Sequence, residues 1–106
     1  MISFEDFKKL DLKIGKIVSA RVHPDADRLY VLDVDLGEET RQIVAGIRKS
    51  YSEDELVGKH VVVAANLEPA TIRGEESNGM VLAASSDDGP IILVPEKDVS
   101  IGSTVK

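Results

Sequence analysis

The sequence predicts a single all-β domain carrying two short helices. Three observations lead there. Apolar residues recur mostly at every second position, in short runs bounded by Gly, Pro, Asp and Ser. Two stretches, Ser3–Asp6 and Ser52–Glu55, carry a capping pattern with apolar residues in the turn they open. A chain of 106 residues that is 42% hydrophobic fills one core and not two.

The first element is a helix. Ser3 precedes Phe4 with Asp6 three residues on, a variant of the capping box, and Ile2 can meet Phe7 as a hydrophobic staple. Phe4, Phe7 and Leu10 share one face at helical spacing. From Asp11 the period becomes two. Leu12 and Ile14 alternate with lysines until the phase slips after Gly15, where Ile17 and Val18 follow Lys16. A glycine at a phase slip predicts a bulge that bends the first strand.

The second strand, 29–36, sets Tyr30, Leu32, Val34 and Leu36 on one face, so Tyr30 is expected in the core. Gly37-Glu38-Glu39 turns the chain into a third strand, Arg41–Ile47. Ser52-Glu53-Asp54-Glu55 is a capping box opening a brief helix that stops at Gly58. The near-continuous apolar run His60–Leu67 predicts a fourth strand buried on both faces. Glu68–Asn78 reads as a polar loop interrupted by Ile72. Gly79–Ser85 is the fifth strand, Ser86–Pro90 a turn and Ile91–Val94 a sixth. Pro95–Lys106 trails off with Val99, Ile101 and Val105 as isolated anchors. Three meandering strands, a small helix and two further strands follow the order of the OB-fold, a five-stranded Greek-key barrel, here with an N-terminal helix and a C-terminal extension.

Composition removes several function classes. The absence of cysteine excludes disulfide scaffolds, thiolate metal sites and a cysteine nucleophile. The longest apolar runs, Val61–Ala65 and Ile91–Val94, are too short to span a bilayer, and no export signal opens the chain. A cytoplasmic protein without a membrane partner is expected. Only His23 and His60 can act as imidazole bases, and neither stands in a nucleophile context. No glycine-rich phosphate loop or paired-histidine motif occurs. No enzymatic activity, cofactor or metal is expected.

Net charge is −6, which argues against nonspecific nucleic-acid binding and makes DNA an unexpected partner. The charge is unevenly spread. Residues 1–50 hold nine basic and nine acidic side chains, whereas residues 51–106 hold four and ten. A local basic face on an acidic molecule is therefore open. Lys13 and Lys16 bracket the expected bulge, Arg28 opens the second strand and Arg41 the third. If the strands pair in order, some of these cations converge on one barrel face. The bland alternative is that they only keep edges soluble.

The loop between the fourth and fifth strands carries the strongest signal. It combines Asn66-Leu67-Glu68-Pro69, Arg73-Gly74 and Ser77-Asn78-Gly79-Met80, beside the surface where OB-folds hold oligonucleotides. Arg73 can pair with a phosphate, Ser77 and Asn78 can hydrogen-bond sugars, phosphates or base edges, and Met80 can pack on a base. For Gly79 and Met80 a strand-entry turn and core filling are equally good readings. With aromatics at 4%, stacking of single strands is poorly served, and structured RNA read by shape fits better.

These segments, with Asp11-Leu12-Lys13-Ile14-Gly15-Lys16-Ile17, His23-Pro24-Asp25-Ala26-Asp27-Arg28-Leu29-Tyr30-Val31 and Arg41-Gln42-Ile43-Val44-Ala45-Gly46, also carry a resemblance. In order, and across Ser3–Lys106, they resemble the tRNA-binding domain at the C-terminus of many methionyl-tRNA synthetases. In some organisms it is a separate β subunit or a stand-alone tRNA-binding protein. The resemblance implies an OB-fold that binds tRNA by shape near the elbow, without catalysis, raising the tRNA affinity of a synthetase. It places Ser77 and Met80 on the contact surface, with Asn66, Arg73, Lys13, Lys16, Arg28 and Arg41 as neighbours. Glu68, Thr71 and Glu75-Glu76 depart from the commoner pattern and make the contact loop less basic.

The resemblance also implies a homodimer. Independently, Ile91–Val94, Val99 and Ile101 lie beyond the completed barrel, where they either cap it or leave an apolar patch for a second copy. Two alternatives remain: an export-chaperone-like dimer that binds extended polypeptide in an apolar groove, and an assembly module that tethers synthetase subunits without RNA.

Overall fold

Ser3 caps a one-turn helix, α1 (Phe4–Phe7), its hydroxyl accepting the Asp6 N–H at 3.1 Å. The structure, a computed structural model, describes all residues from Met1 to Lys106. Three long strands follow, β1 (Leu12–Val22), β2 (Tyr30–Asp35) and β3 (Thr40–Ala45), then a second one-turn helix, α2 (Glu53–Leu56). Strand β4 (His60–Ala64) precedes a hairpin of β5 (Ala70–Ile72) and β6 (Glu75–Ser77). Strand β7 (Met80–Val81) leads into a second hairpin, β8 (Ala83–Ser86) and β9 (Gly89–Ile92), and β10 (Thr104–Val105) ends the chain.

The main sheet runs β3-β2-β1-β4-β7, all antiparallel, and β7 lies back against β3. That is the predicted five-stranded Greek-key barrel. At the β3–β7 seam the Asn78 N–H donates to the Gln42 carbonyl at 2.8 Å. Gly79 admits this closure: its φ is +130°, and a Cβ there would stand 3.0 Å from the Ala64 carbonyl oxygen.

Inside the barrel Ile17, Leu32, Val34, Ile43, Leu56, Val61 and Val63 are fully buried. Tyr30 joins them as expected, its hydroxyl donating to the Tyr51 carbonyl at 2.7 Å. The Ser52–Glu55 capping box forms as predicted and delivers Leu56 into the core.

The bulge falls between Ile17 and Ser19, at the phase slip itself rather than at Gly15. Gly15 serves close packing instead: a Cβ there would sit 2.6 Å from Val34 Cγ1 and 2.9 Å from Leu36 Cδ2. The fourth strand stops at Ala64, short of Leu67, because Ala65 and Asn66 leave the ladder to bond the Lys9–Asp11 segment. The expected fifth strand divides at Leu82, beyond which Ala83–Ser86 pairs with Gly89–Ile92.

At the N-terminus Phe4 is 71% and Leu10 44% exposed, so the face they share with Phe7 stays largely outside the core. The C-terminal extension is not loose. Its β10 pairs with β1 at Leu12 and Lys13, and Gly102 N–H donates to the Ile14 carbonyl at 2.7 Å. Of the C-terminal apolar residues Ile92 joins the core, while Ile91, Leu93, Val94 and Val99 stay exposed. No helix is long and apolar enough to cross a membrane.

Candidate nucleic-acid interface

The segment expected as a loop is a hairpin: β5 and β6 pair Ala70 with Ser77 and Ile72 with Glu75 across an Arg73-Gly74 turn. Strands of three residues are too short for a period to show in the sequence. Three hollows lie along this hairpin. At its base Arg41, Gln42, Asn66, Leu67, Glu68 and Asn78 line a polar recess. Beside it an open groove of about 470 Å³ is mostly apolar, lined by Val44, Ile47, Leu67, Ile72, Met80 and Pro90 among others. At the tip Arg73 meets the Asp25–Leu29 turn in a third hollow.

Long-range polar contacts fix the hairpin to the barrel. His23 is 3% exposed, its Nδ1 accepts the Asp25 N–H at 3.0 Å, and its Nε2 lies 3.0 Å from the Ile72 carbonyl. Since Nδ1 is an acceptor, Nε2 carries the proton and donates to Ile72. Ser77 is 4% exposed. Its hydroxyl accepts the Val44 N–H at 3.0 Å and donates to the Gly79 carbonyl at 3.0 Å. The hydroxyl thus takes the place of a ladder carbonyl at the barrel seam. Gln42 donates to the Glu76 carbonyl at 2.8 Å.

Glu75 completes the attachment. Arg21 donates to its carboxylate at 2.9 Å, and that hydrogen bond, with the Arg21 charge, holds the Glu75 carboxyl below its ordinary value of 4.5. A group depressed on folding stabilises fully above its unfolded value, and the contribution fades as pH falls through the folded one. Glu55 is lowered too, by the capping hydrogen bonds from Ser52. Stability should therefore decline below 4.5. Thermal melts of Glu75→Gln across the acid range are expected to show reduced stability at neutral pH and a shallower acid decline. Parallel curves for variant and parent would rule out the Arg21 contact as a source.

The nine residues singled out from sequence separate by exposure and occupation. Met80 is 47% exposed on the groove. Asn78 lines the polar recess, and Arg28 and Arg73 converge on the tip hollow. Arg41 lines the recess but is engaged by the Glu39 carboxylate and the Ala65 carbonyl. Asn66 is used as a clamp, accepting the Asp11 N–H at 2.8 Å and donating to the Lys9 carbonyl at 2.6 Å. Ser77, expected to face a ligand, is instead turned into the seam. Lys13, paired with Asp11 at 3.6 Å, and Lys16 lie on β1 and line none of the three hollows. The four cations expected to converge do not share a hollow: Arg28 and Arg41 line different ones and the lysines none, while Arg28 shares its hollow with Arg73 instead.

Sequence reasoning missed Arg21, Gln42 and Arg48, whose partners lie 54, 33 to 34 and 22 residues away. Arg48 donates to the Ala26 carbonyl at 3.4 Å and so braces the tip turn. Only the placement of Arg21 and Gln42 on outward strand positions hinted at them.

A barrel of this order, with a polar and apolar surface along the β4–β7 connection, defines a binding module of the OB type. Residues 12–104 match a family model described as "Putative tRNA binding domain". Methionine–tRNA ligase of Thermococcus onnurineus is 52% identical over 105 residues, covering 99% of this chain and 14% of that protein. The Archaeoglobus fulgidus ligase is 49% identical over 104 residues, 98% of this chain and 16% of its own length. Among solved structures, the MetRS-related protein of Pyrococcus horikoshii superposes with a TM-score of 0.93 at 32% identity, covering 100% of this chain and 98% of that one. The CsaA chaperone protein of Picrophilus torridus reaches 0.93 at 28% identity, with 100% of both chains covered. The chain belongs to the tRNA-binding domain family. It spans about one-seventh of the length of the ligases it matches, as the 14% coverage gives.

Proposed function

We infer that this domain binds folded tRNA by shape near the elbow and raises the tRNA affinity of methionyl-tRNA synthetase, as part of that chain or as a separate subunit. The observation that carries this is the Ser77–Met80 segment, whose Asn78 and Met80 stand at the hairpin hollows while Arg28 and Arg73 gather at its tip. Two arginines outside any ion pair suit phosphate contacts, and a polar recess beside an apolar groove suits sugar and base edges. The ligase relatives support the synthetase partner, and a cytoplasmic site of action goes with it.

Competition binding tests the reading. Folded tRNA should displace a labelled tRNA at least tenfold more effectively than unfolded tRNA or an unrelated single strand, a gap of about 1.4 kcal/mol. Equal displacement by all three would refute recognition by shape.

Homodimer formation is part of the same reading. Ile91, Leu93 and Val94 leave an exposed apolar surface beyond the barrel, suited to a two-fold partner. Sedimentation equilibrium reads it directly, a monomer at all concentrations being the contrary result. A second reading, capture of extended polypeptide, draws on the apolar groove and on the CsaA chaperone likeness. It predicts that unfolded polypeptide, not tRNA, protects the groove.

A further inference from the structure

Arg73 is the only non-glycine residue with positive φ, at +49°, followed by Gly74 at +85°. It occupies the first central position of a two-residue hairpin turn between Ile72 and Glu75. Such a turn needs left-handed backbone at both central positions, which a Cβ disfavours and which asparagine or glycine ordinarily supplies. Arginine there strains the backbone where a better turn former would serve. The hairpin does not need the guanidinium for its ladder, because the Ile72 carbonyl is held by His23 and Ser77 holds the other end.

We propose that Arg73 and Arg28 form a seat for one backbone phosphate of bound RNA at the hairpin tip, separate from the Met80 groove. This rests on the RNA-binding reading above. Arg73 Nη1 donates to the Asp25 carbonyl at 3.1 Å, which spends one of five N–H donors and leaves the rest of the fork open. Arg28 lines the same hollow. Neither has a carboxylate within ion-pair distance, whereas Lys8, Lys9, Lys13, Arg21 and Arg41 do.

The seat is also preorganised. The Arg48 N–H donates to the Arg28 carbonyl at 3.3 Å and its side chain holds the Ala26 carbonyl, so the turn carrying Arg28 is braced from behind. Asp25 and Asp27 line the same hollow, yet neither forms an ion pair with the arginines, so both forks stay open to a phosphodiester, whose two oxygens match the guanidinium geometry.

The decisive variant is Arg73→Asn, because asparagine suits the turn and lacks the charge. Measured against a folded tRNA transcript over a salt series, affinity should fall several-fold at low salt. The slope of log affinity against log salt should flatten by about one unit. The melting temperature should hold or rise by about 3 °C as the strain is relieved. Arg28→Ala should flatten the slope equally, and the double variant should lose no more than about one unit in total, since one phosphate is shared. A lower melting temperature for Arg73→Asn with unchanged slope would show a structural clasp and overturn the seat. So would unchanged affinity in both single variants while Met80→Ala weakens binding, which would leave the RNA reading standing. If the parent protein fails to bind folded tRNA, both readings fall together.

Discussion

His23→Ala is expected to lower the melting temperature by about 15 °C, from a destabilisation of about 3 kcal/mol. The ring is buried at 3% exposure and bridges two segments far apart in sequence, Asp25 on the tip turn and Ile72 on β5. Alanine leaves a cavity, and it strands the Asp25 N–H and the Ile72 carbonyl without partners. Because that bridge holds the tip turn against the hairpin, the loss should also separate Arg28 from Arg73. His23→Gln restores a donor near the Nε2 position, and part of the stability should return. Differential scanning calorimetry decides the matter. A change of less than about 1 kcal/mol would mean that the hairpin is held by Gln42, Glu75 and Ser77 alone.

Ser77→Ala comes next, at about 2 kcal/mol. The hydroxyl is buried and satisfies the Val44 N–H in the seam where β3 meets the returning chain. Removing it leaves a donor inside the protein with no acceptor, which costs more than the net worth of an ordinary hydrogen bond. Amide exchange at Val44 should accelerate in step with the fall in melting temperature. RNA affinity should drop too, through the seam rather than through a lost contact. Normal stability with lost RNA binding would return Ser77 to the contact surface.

How legible the fold was follows from the range of the interactions that build it. The long strands show their period, and the Ser3 and Ser52 caps act within four residues, so β1 to β4 and both helices could be read directly. The β5–β6 hairpin could not. Its strands have three residues each, and what orders them is His23, Arg21 and Gln42 reaching across 33 to 54 positions. The extension failed in the same way, since β10 is a strand only because the edge of β1 is free beside it.

The site divided on the same line. A polar residue in a motif can face outward or inward, and the sequence did not say which. Asn78 and Met80 line hollows, whereas Ser77 and Asn66 spend their groups on the chain itself. Lys13 and Lys16 are neighbours along β1 but line none of the hairpin hollows. Arg28 and Arg73 line one hollow because the turn after β1 folds against the hairpin tip, where Arg73 bonds the Asp25 carbonyl.

Amide chemical-shift mapping during titration with folded tRNA tests the central claim, that the hairpin face receives RNA. Perturbations should concentrate on Asp25–Leu29, Arg73-Gly74 and Asn78–Met80 and fade as salt rises. Perturbations confined to the Ile91–Val94 surface, with the hairpin unmoved, would contradict it.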